Sequence, residues 1–187
     1  MKHFLAVVIL FGLAASTVRS QWHVQPIESQ ADFRGLSVVN SRIAWVSGTK
    51  GTYARTIDAG KTWSDAIVPG AEKLDFRDVE AFGEETAYLL SAGPGDASRI
   101  YKTTNGGKTW TKQFQSGDPA SFFDALAFWD EKNGIALGDP VNGHFQLIAT
   151  DDAGLNWKTL PAKNSPAALP NEGAFAASGT CLVTFGK

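Results

Sequence analysis

Seven side chains in this sequence have the types and places for chemistry: Arg34, Arg77, Asp78, Asp124, Asp139, His144 and Glu172. Guanidinium groups grip carboxylates and phosphates through paired hydrogen bonds, so Arg34 and Arg77 suit a sugar acid, a phosphate or a peptide carboxylate. Asp78 and Asp124 offer a different chemistry. Two carboxyl groups held about 6.5–9.5 Å apart can cleave a glycosidic bond with inversion. The plainer expectation is that Arg34, Arg77 and Asp78 form ion pairs or turn caps between structural units, because such networks mimic functional clusters. No catalytic residue is assigned on these grounds. Lys50, Asp96, Arg99 and Asn142 stand in the same class of turn as Asp139 and His144.

Other chemistries fall away. The 187 residues carry a formal charge of −2 without long runs of one sign, which gives no footprint for nucleic acid. His23 and His144 are isolated and Cys181 is the sole cysteine, so a zinc cluster and an internal disulfide are both excluded. Gly93-Pro94-Gly95 and Gly106-Gly107 read as hairpin turns, since no helical pattern follows to make a phosphate loop. No metal and no cofactor is expected.

What must position the candidate residues is a repeat. Thr56-Ile57-Asp58-Ala59-Gly60-Lys61-Thr62-Trp63 recurs as Thr103-Thr104-Asn105-Gly106-Gly107-Lys108-Thr109-Trp110, and again as Thr150-Asp151-Asp152-Ala153-Gly154-Leu155-Asn156-Trp157. The step is 47 residues from Thr56 to Thr103 and 47 again from Thr103 to Thr150, in the range of propeller blades. Between the copies lie short apolar runs such as Leu36–Val39, Val79–Phe82 and Ala125–Phe128, then a second run, then an alternating one such as Arg99–Thr103. Four short strands per unit exclude helical arrays and predict an all-β fold, a β-propeller of four-stranded meander blades. Within each copy, Asp58, Asn105 or Asp152 can bond the backbone of its own turn. Gly60, Gly107 and Gly154 supply a left-handed backbone, and Trp63, Trp110 and Trp157 are expected to fill the wedges between blades. Because these residues recur in every unit, the reading for them is structural.

The eight-residue pattern resembles the Asp-box, or BNR, repeat of sialidases, xyloglucanase-type glycosidases, sortilin-type receptors and photosystem II assembly-factor propellers. The units opening Phe33-Arg34-Gly35-Leu36 and Phe76-Arg77-Asp78-Val79 are most similar to the assembly-factor group, in which a Phe-Arg pair opens the innermost strand. That resemblance implies a non-catalytic scaffold that binds a protein or carbohydrate at the mouth of its central channel. The alternative is a glycoside hydrolase whose site further blades complete. A sialidase would need three convergent arginines and a tyrosine nucleophile, whereas Tyr53, Tyr88 and Tyr101 all lie away from the strand-one starts. Enzymatic activity stays open, with the balance against it.

Counting units gives about three and a half blades, an incomplete ring: 31–68, 74–115, 121–161 and the start of a fourth at 172–187, with Ala174–Ala177 and Cys181–Thr184 as its first strands. Residues 22–27 read as a lone closing strand, so 21–187 is a partial propeller. A longer protein of perhaps seven blades, or association of copies, would complete it. Ahead of it, Lys2 and His3 precede an apolar run from Phe4 to Ala15, with Val18 and Ser20 at the small-residue positions of a cleavage site. Residues 1–20 therefore read as a signal peptide cut after Ser20, too short in its apolar run to span a bilayer. Its removal takes away Lys2 and Arg19, leaving 15 basic against 19 acidic residues. The expected location is secreted or periplasmic.

Overall fold

The computed structural model of the chain describes residues 23–177 and 179–186. The expected signal peptide lies outside them. Three four-stranded antiparallel sheets follow one another along the chain. The first holds β1 (Phe33–Val38), β2 (Ala44–Gly48), β3 (Thr52–Thr56) and β4 (Ser64–Ile67). The second holds β5 (Phe76–Ala81), β6 (Ala87–Ser91), β7 (Arg99–Thr103) and β8 (Thr111–Gln115). The third holds β9 (Phe123–Phe128), β10 (Gly134–Val141), β11 (His144–Thr150) and β12 (Lys158–Thr159). In each sheet the strands stand in chain order, and β1, β5 and β9 are the inner strands that meet neighbouring sheets. This is an arc of three propeller blades. Among the described residues, no helix is long and apolar enough to cross a membrane.

Burial follows position in the arc. All six residues of β9 and all five of β6 are buried, as expected for strands covered on both faces. In β1, by contrast, Leu36 and Val38 are 62% and 65% exposed, because no sheet covers that side of the first blade. Two apolar clusters fill the two joints. Trp45, Tyr53, Val68, Leu74, Phe76 and Leu89 pack between the first and second blades, and Tyr88, Leu90, Ile100, Phe123, Phe128 and Ile148 between the second and third.

The repeated boxes seal the hairpins between third and fourth strands. In the first copy, the Gly60 N–H and the Asp58 N–H donate to Thr56 Oγ1 (2.9 and 3.4 Å), while Thr56 Oγ1–H donates to Asp58 Oδ1 (2.9 Å). Asp58 then accepts the Thr62 N–H (2.9 Å) and the Thr62 hydroxyl (2.6 Å). Those bonds to Thr62 hold the Asp58 carboxyl down at about 2. Asn105 and Asp152 repeat the scheme toward Thr109 and Asn156. The turn is tighter than the sequence indicates. The residue before each box glycine is left-handed too, with φ of 65° at Ala59, 70° at Gly106 and 60° at Ala153.

Two of the three box tryptophans stand at the joints, whereas Trp63, expected in a wedge too, lines the uncovered side of the first blade with Val38 and Gln25. Trp110 lies edge-on to Trp45 (6.3 Å between centroids) and to Tyr53 (5.0 Å), so a second-blade ring packs on first-blade rings. Trp157 meets Phe128 at 6.0 Å. Polar clasps reinforce the same seams: the Tyr53 hydroxyl donates to Gly107 O (2.8 Å), and Tyr88 does the same to Ala153 O (2.8 Å). Arg55 stacks over Trp45 and reaches Glu84 O, and Lys102 stacks over Tyr88 and reaches Ala153 O.

Two expectations at the ends need correcting. Ala174–Ala177 and Cys181–Thr184 do not form strands at their described residues, and Cys181 is exposed. This stretch joins none of the three sheets. It lies instead across the inner strands of the arc, where the Thr184 hydroxyl donates to Phe128 O (2.7 Å). Residues 23–27 of the expected closing strand likewise join no sheet, with Gln25 against the first box at Gly60.

Trp110→Ala is expected to cost about 3–5 kcal/mol in a urea unfolding titration, since it empties a filled joint. Trp63→Ala, on the uncovered side of the first blade, should cost clearly less. Equal losses would place the indoles outside the joints. Asp58→Asn should keep the wild-type thermal midpoint, because Asn105 already performs that role in the second box, whereas Asp58→Ala should lower it.

Candidate functional site

The channel mouth is built by three β-bulges. In the first blade Phe33 pairs with Gly48 and Gly35 with Ser47, leaving Arg34 as the extra residue. In the second, Phe76 pairs with Ser91 and Asp78 with Leu90, leaving Arg77. In the third, Phe123 pairs with Gly138 and Ala125 with Leu137, leaving Asp124. A bulge re-aims the side chain it carries. Three equivalent bulges therefore present Arg34, Arg77 and Asp124 at one end of adjacent inner strands, opposite the box hairpins. The recurring phenylalanine, buried at Phe76 (0% exposed) and Phe123 (2%), anchors the bulge beside it.

Arg34 and Arg77 converge on one carboxylate. The Arg77 Nε–H donates to Asp75 Oδ2 at 2.8 Å, and Arg34 Nε stands 3.8 Å from the same oxygen. Arg77 Nη1 also donates to Ala176 O (3.1 Å). Their side chains remain 40% and 32% exposed, enough to meet a partner. Asp75 was not singled out in the sequence. Its signal was there, as Asp-Phe-Arg occurs at both Asp32-Phe33-Arg34 and Asp75-Phe76-Arg77.

Asp78 and Asp124 belong to the scaffold. Asp78 is 6% exposed; Oδ1 accepts the Val79 N–H and Oδ2 the Leu126 N–H of the next blade, both at 2.8 Å. It staples β5 to β9, much as the Ser37 hydroxyl oxygen staples β1 to β5 by accepting the Ala81 N–H (3.0 Å). Asp124 is 1% exposed, and its Oδ2 has no hydrogen-bond partner. Burial pushes both carboxyls up to about 7. For Asp78 the Leu126 and Val79 N–H groups pull the other way. For Asp124 the nearby Asp139 charge adds to the rise, and the Ala176 N–H and Arg77 oppose it. Two carboxyl groups this enclosed and this engaged with backbone are not open to a sugar chain.

The remaining candidates scatter. Asp139 sits in a bulge of β10 and accepts the Ala174 N–H at 2.8 Å, close enough to Asp124 to influence its charge. His144 lies apart, at the tip of the β10–β11 hairpin, bridged to Ala167. Glu172 caps an exposed turn, its Oε2 accepting the Leu169 N–H (2.7 Å). No group of acids, histidines and cysteines fit for a metal ion occurs among the described residues.

Comparison with known proteins places this arc in a class. No family model matches the chain. Among solved structures, one described as YCF48 bound to D1 peptide superposes with a TM-score of 0.58 at 18% identity, covering 74% of this chain and 44% of that one. YCF48 from Cyanidioschyzon merolae gives 0.55 at 20% identity, covering 74% and 42%. The fold is thus a β-propeller, present in part. In sequence, the chain is 26% identical to the photosystem II assembly lipoprotein Ycf48 of Picosynechococcus, over 59% of this chain and 46% of that protein. The chain is thus similar to photosystem II assembly-factor propellers and spans less than half the length of the relatives it matches.

The two buried carboxyls set a pH dependence. Their folded values lie above the ordinary aspartate value of 3.8, so the folded state holds protons that an unfolded chain has released. Their contribution to stability is complete below about pH 4 and is lost as pH rises through about 7. The thermal midpoint is expected to fall between about pH 4 and 7, and Asp124→Asn should flatten that fall. A midpoint rising over this range would refute the assignment.

Proposed function

We propose that this chain is part of an exported, non-catalytic propeller that docks a protein segment on its channel-mouth face. The observation that carries the reading is the Arg34–Asp75–Arg77 cluster: two arginines share one carboxylate while keeping exposed donors at the end of the inner strands. A carboxylate or backbone carbonyls of an extended segment could take those donors in charge-assisted bonds. The structural likeness supports a protein partner in preference to a carbohydrate, since one similar propeller was solved with a peptide of D1. The burial of Asp78 and Asp124 supports a scaffold in place of a glycosidase. Export rests on the reading of residues 1–20, and amino-terminal sequencing of the secreted product should begin at Gln21.

Binding is tested by fluorescence anisotropy of a labelled D1 peptide with the purified mature chain. Saturable binding is expected, weakened about fivefold or more by Arg34→Ala and by added salt. Absence of peptide binding, or turnover of sialyl or β-glucan reporter substrates, would overturn the proposal.

A further inference from the structure

The two joints of the arc are built alike and finished differently. After β4, the loop to β5 turns back through Val68 N–H to Gly51 O (2.9 Å), Ala71 N–H to Val68 O (3.0 Å) and Leu74 N–H to Ala71 O (2.8 Å). After β8 the same turn recurs, with Ser116 N–H to Ser98 O (3.0 Å) and Ser121 N–H to Asp118 O (3.0 Å). Ser116, Asp118 and Ser121 thus occupy the places of Val68, Ala71 and Leu74. In the first joint those three apolar side chains plug the seam, 1%, 1% and 8% exposed. In the second they are replaced by two hydroxyls and a carboxylate.

The replacement leaves a cleft of about 240 Å³ between the second and third blades. Phe114 and Phe123, edge-to-face at 5.5 Å, and Ile148 make its apolar wall. Gln146 of β11 lines it from the third blade, and its amide oxygen is buried with no hydrogen-bond partner. A buried acceptor left unsatisfied keeps the penalty of its lost hydration, so a donor brought to it is rewarded. The volume falls below the roughly 300–1,000 Å³ of pockets that take a whole small ligand, and suits one ring. An apolar body with one donor at its tip describes the side chain of tyrosine or tryptophan.

We infer that this cleft is a subsite for a single aromatic side chain of a docked protein, whose O–H or N–H donates to Gln146 Oε1. The inference rests on the protein-binding reading above and adds to it a residue preference. The cleft opens beside the Pro94–Ala97 turn, at the same end of the blades as the arginine cluster.

The test uses side-chain analogues and needs no partner. With the mature chain labelled for NMR, p-cresol and 3-methylindole should give saturable shifts at Phe114, Gly117, Ser121, Gln146 and Ile148, and toluene should bind at least fivefold more weakly. Gln146→Leu should erase the preference for cresol over toluene. Ser121→Leu, which copies the plug of the first joint, should abolish binding of all three with an unchanged spectrum elsewhere. If that variant fails to fold, Ser116→Val serves the same purpose. Shifts that do not saturate, that map elsewhere, or that keep the cresol preference in Gln146→Leu would overturn the subsite. Cresol binding without any peptide binding would sink the protein-docking reading and leave the cleft standing.

Discussion

Ring-on-ring packing where two blades meet is the constraint on which the rest of this arc depends. A four-stranded meander is apolar on both faces and cannot stand alone in water. Its neighbours must cover it, and the space they leave is a wedge. Trp110 against Trp45 and Tyr53 fills the first wedge, and Trp157 with Phe128 and Tyr88 the second. Large rings suit such a space because their area removes much surface from water while edge-to-face contact fixes the angle between the blades. The hydroxyl and cation clasps from Tyr53, Tyr88, Arg55 and Lys102 end on carbonyls of the following blade. They hold each box hairpin in register with the rings it must cover.

The inner ends of the strands answer a different demand. Adjacent inner strands leave backbone N–H groups facing one another across the seam, and a buried N–H needs an acceptor. Ser37 and Asp78 provide acceptors for Ala81 and Leu126. The cost is a carboxyl buried so deeply that its charge is disfavoured at neutral pH. Bulges place Arg34 and Arg77 just outside this layer. Charge that is scaffold and charge that can meet a partner are thus separated by a single residue of register.

Repetition also makes departures from it informative. Two joints share a backbone, yet one is sealed with Val68, Ala71 and Leu74 and the other carries Ser116, Asp118 and Ser121. A molecule selected for stability alone would favour the first solution. The second tolerates an open cleft and an unpaired amide oxygen, which is the kind of local inconsistency that binding sites show.

The sequence by itself determined the class of fold, because the period of 47 residues, the box chemistry and the spacing of apolar runs are local and repeat. It also determined that the box aspartates are structural, since three equivalent copies cannot form one asymmetric site. It did not determine which acids are buried. Asp78 and Asp124 read like a catalytic pair until the neighbouring blade is placed over them, and Glu172 reads like a strand start until its turn is seen. Nor does one sequence reveal that Arg34 joins Arg77 on Asp75, for the Arg34 contact crosses between blades. Strands follow from neighbours along the chain. The mouth, the staples and the cleft follow only from which blade lies against which.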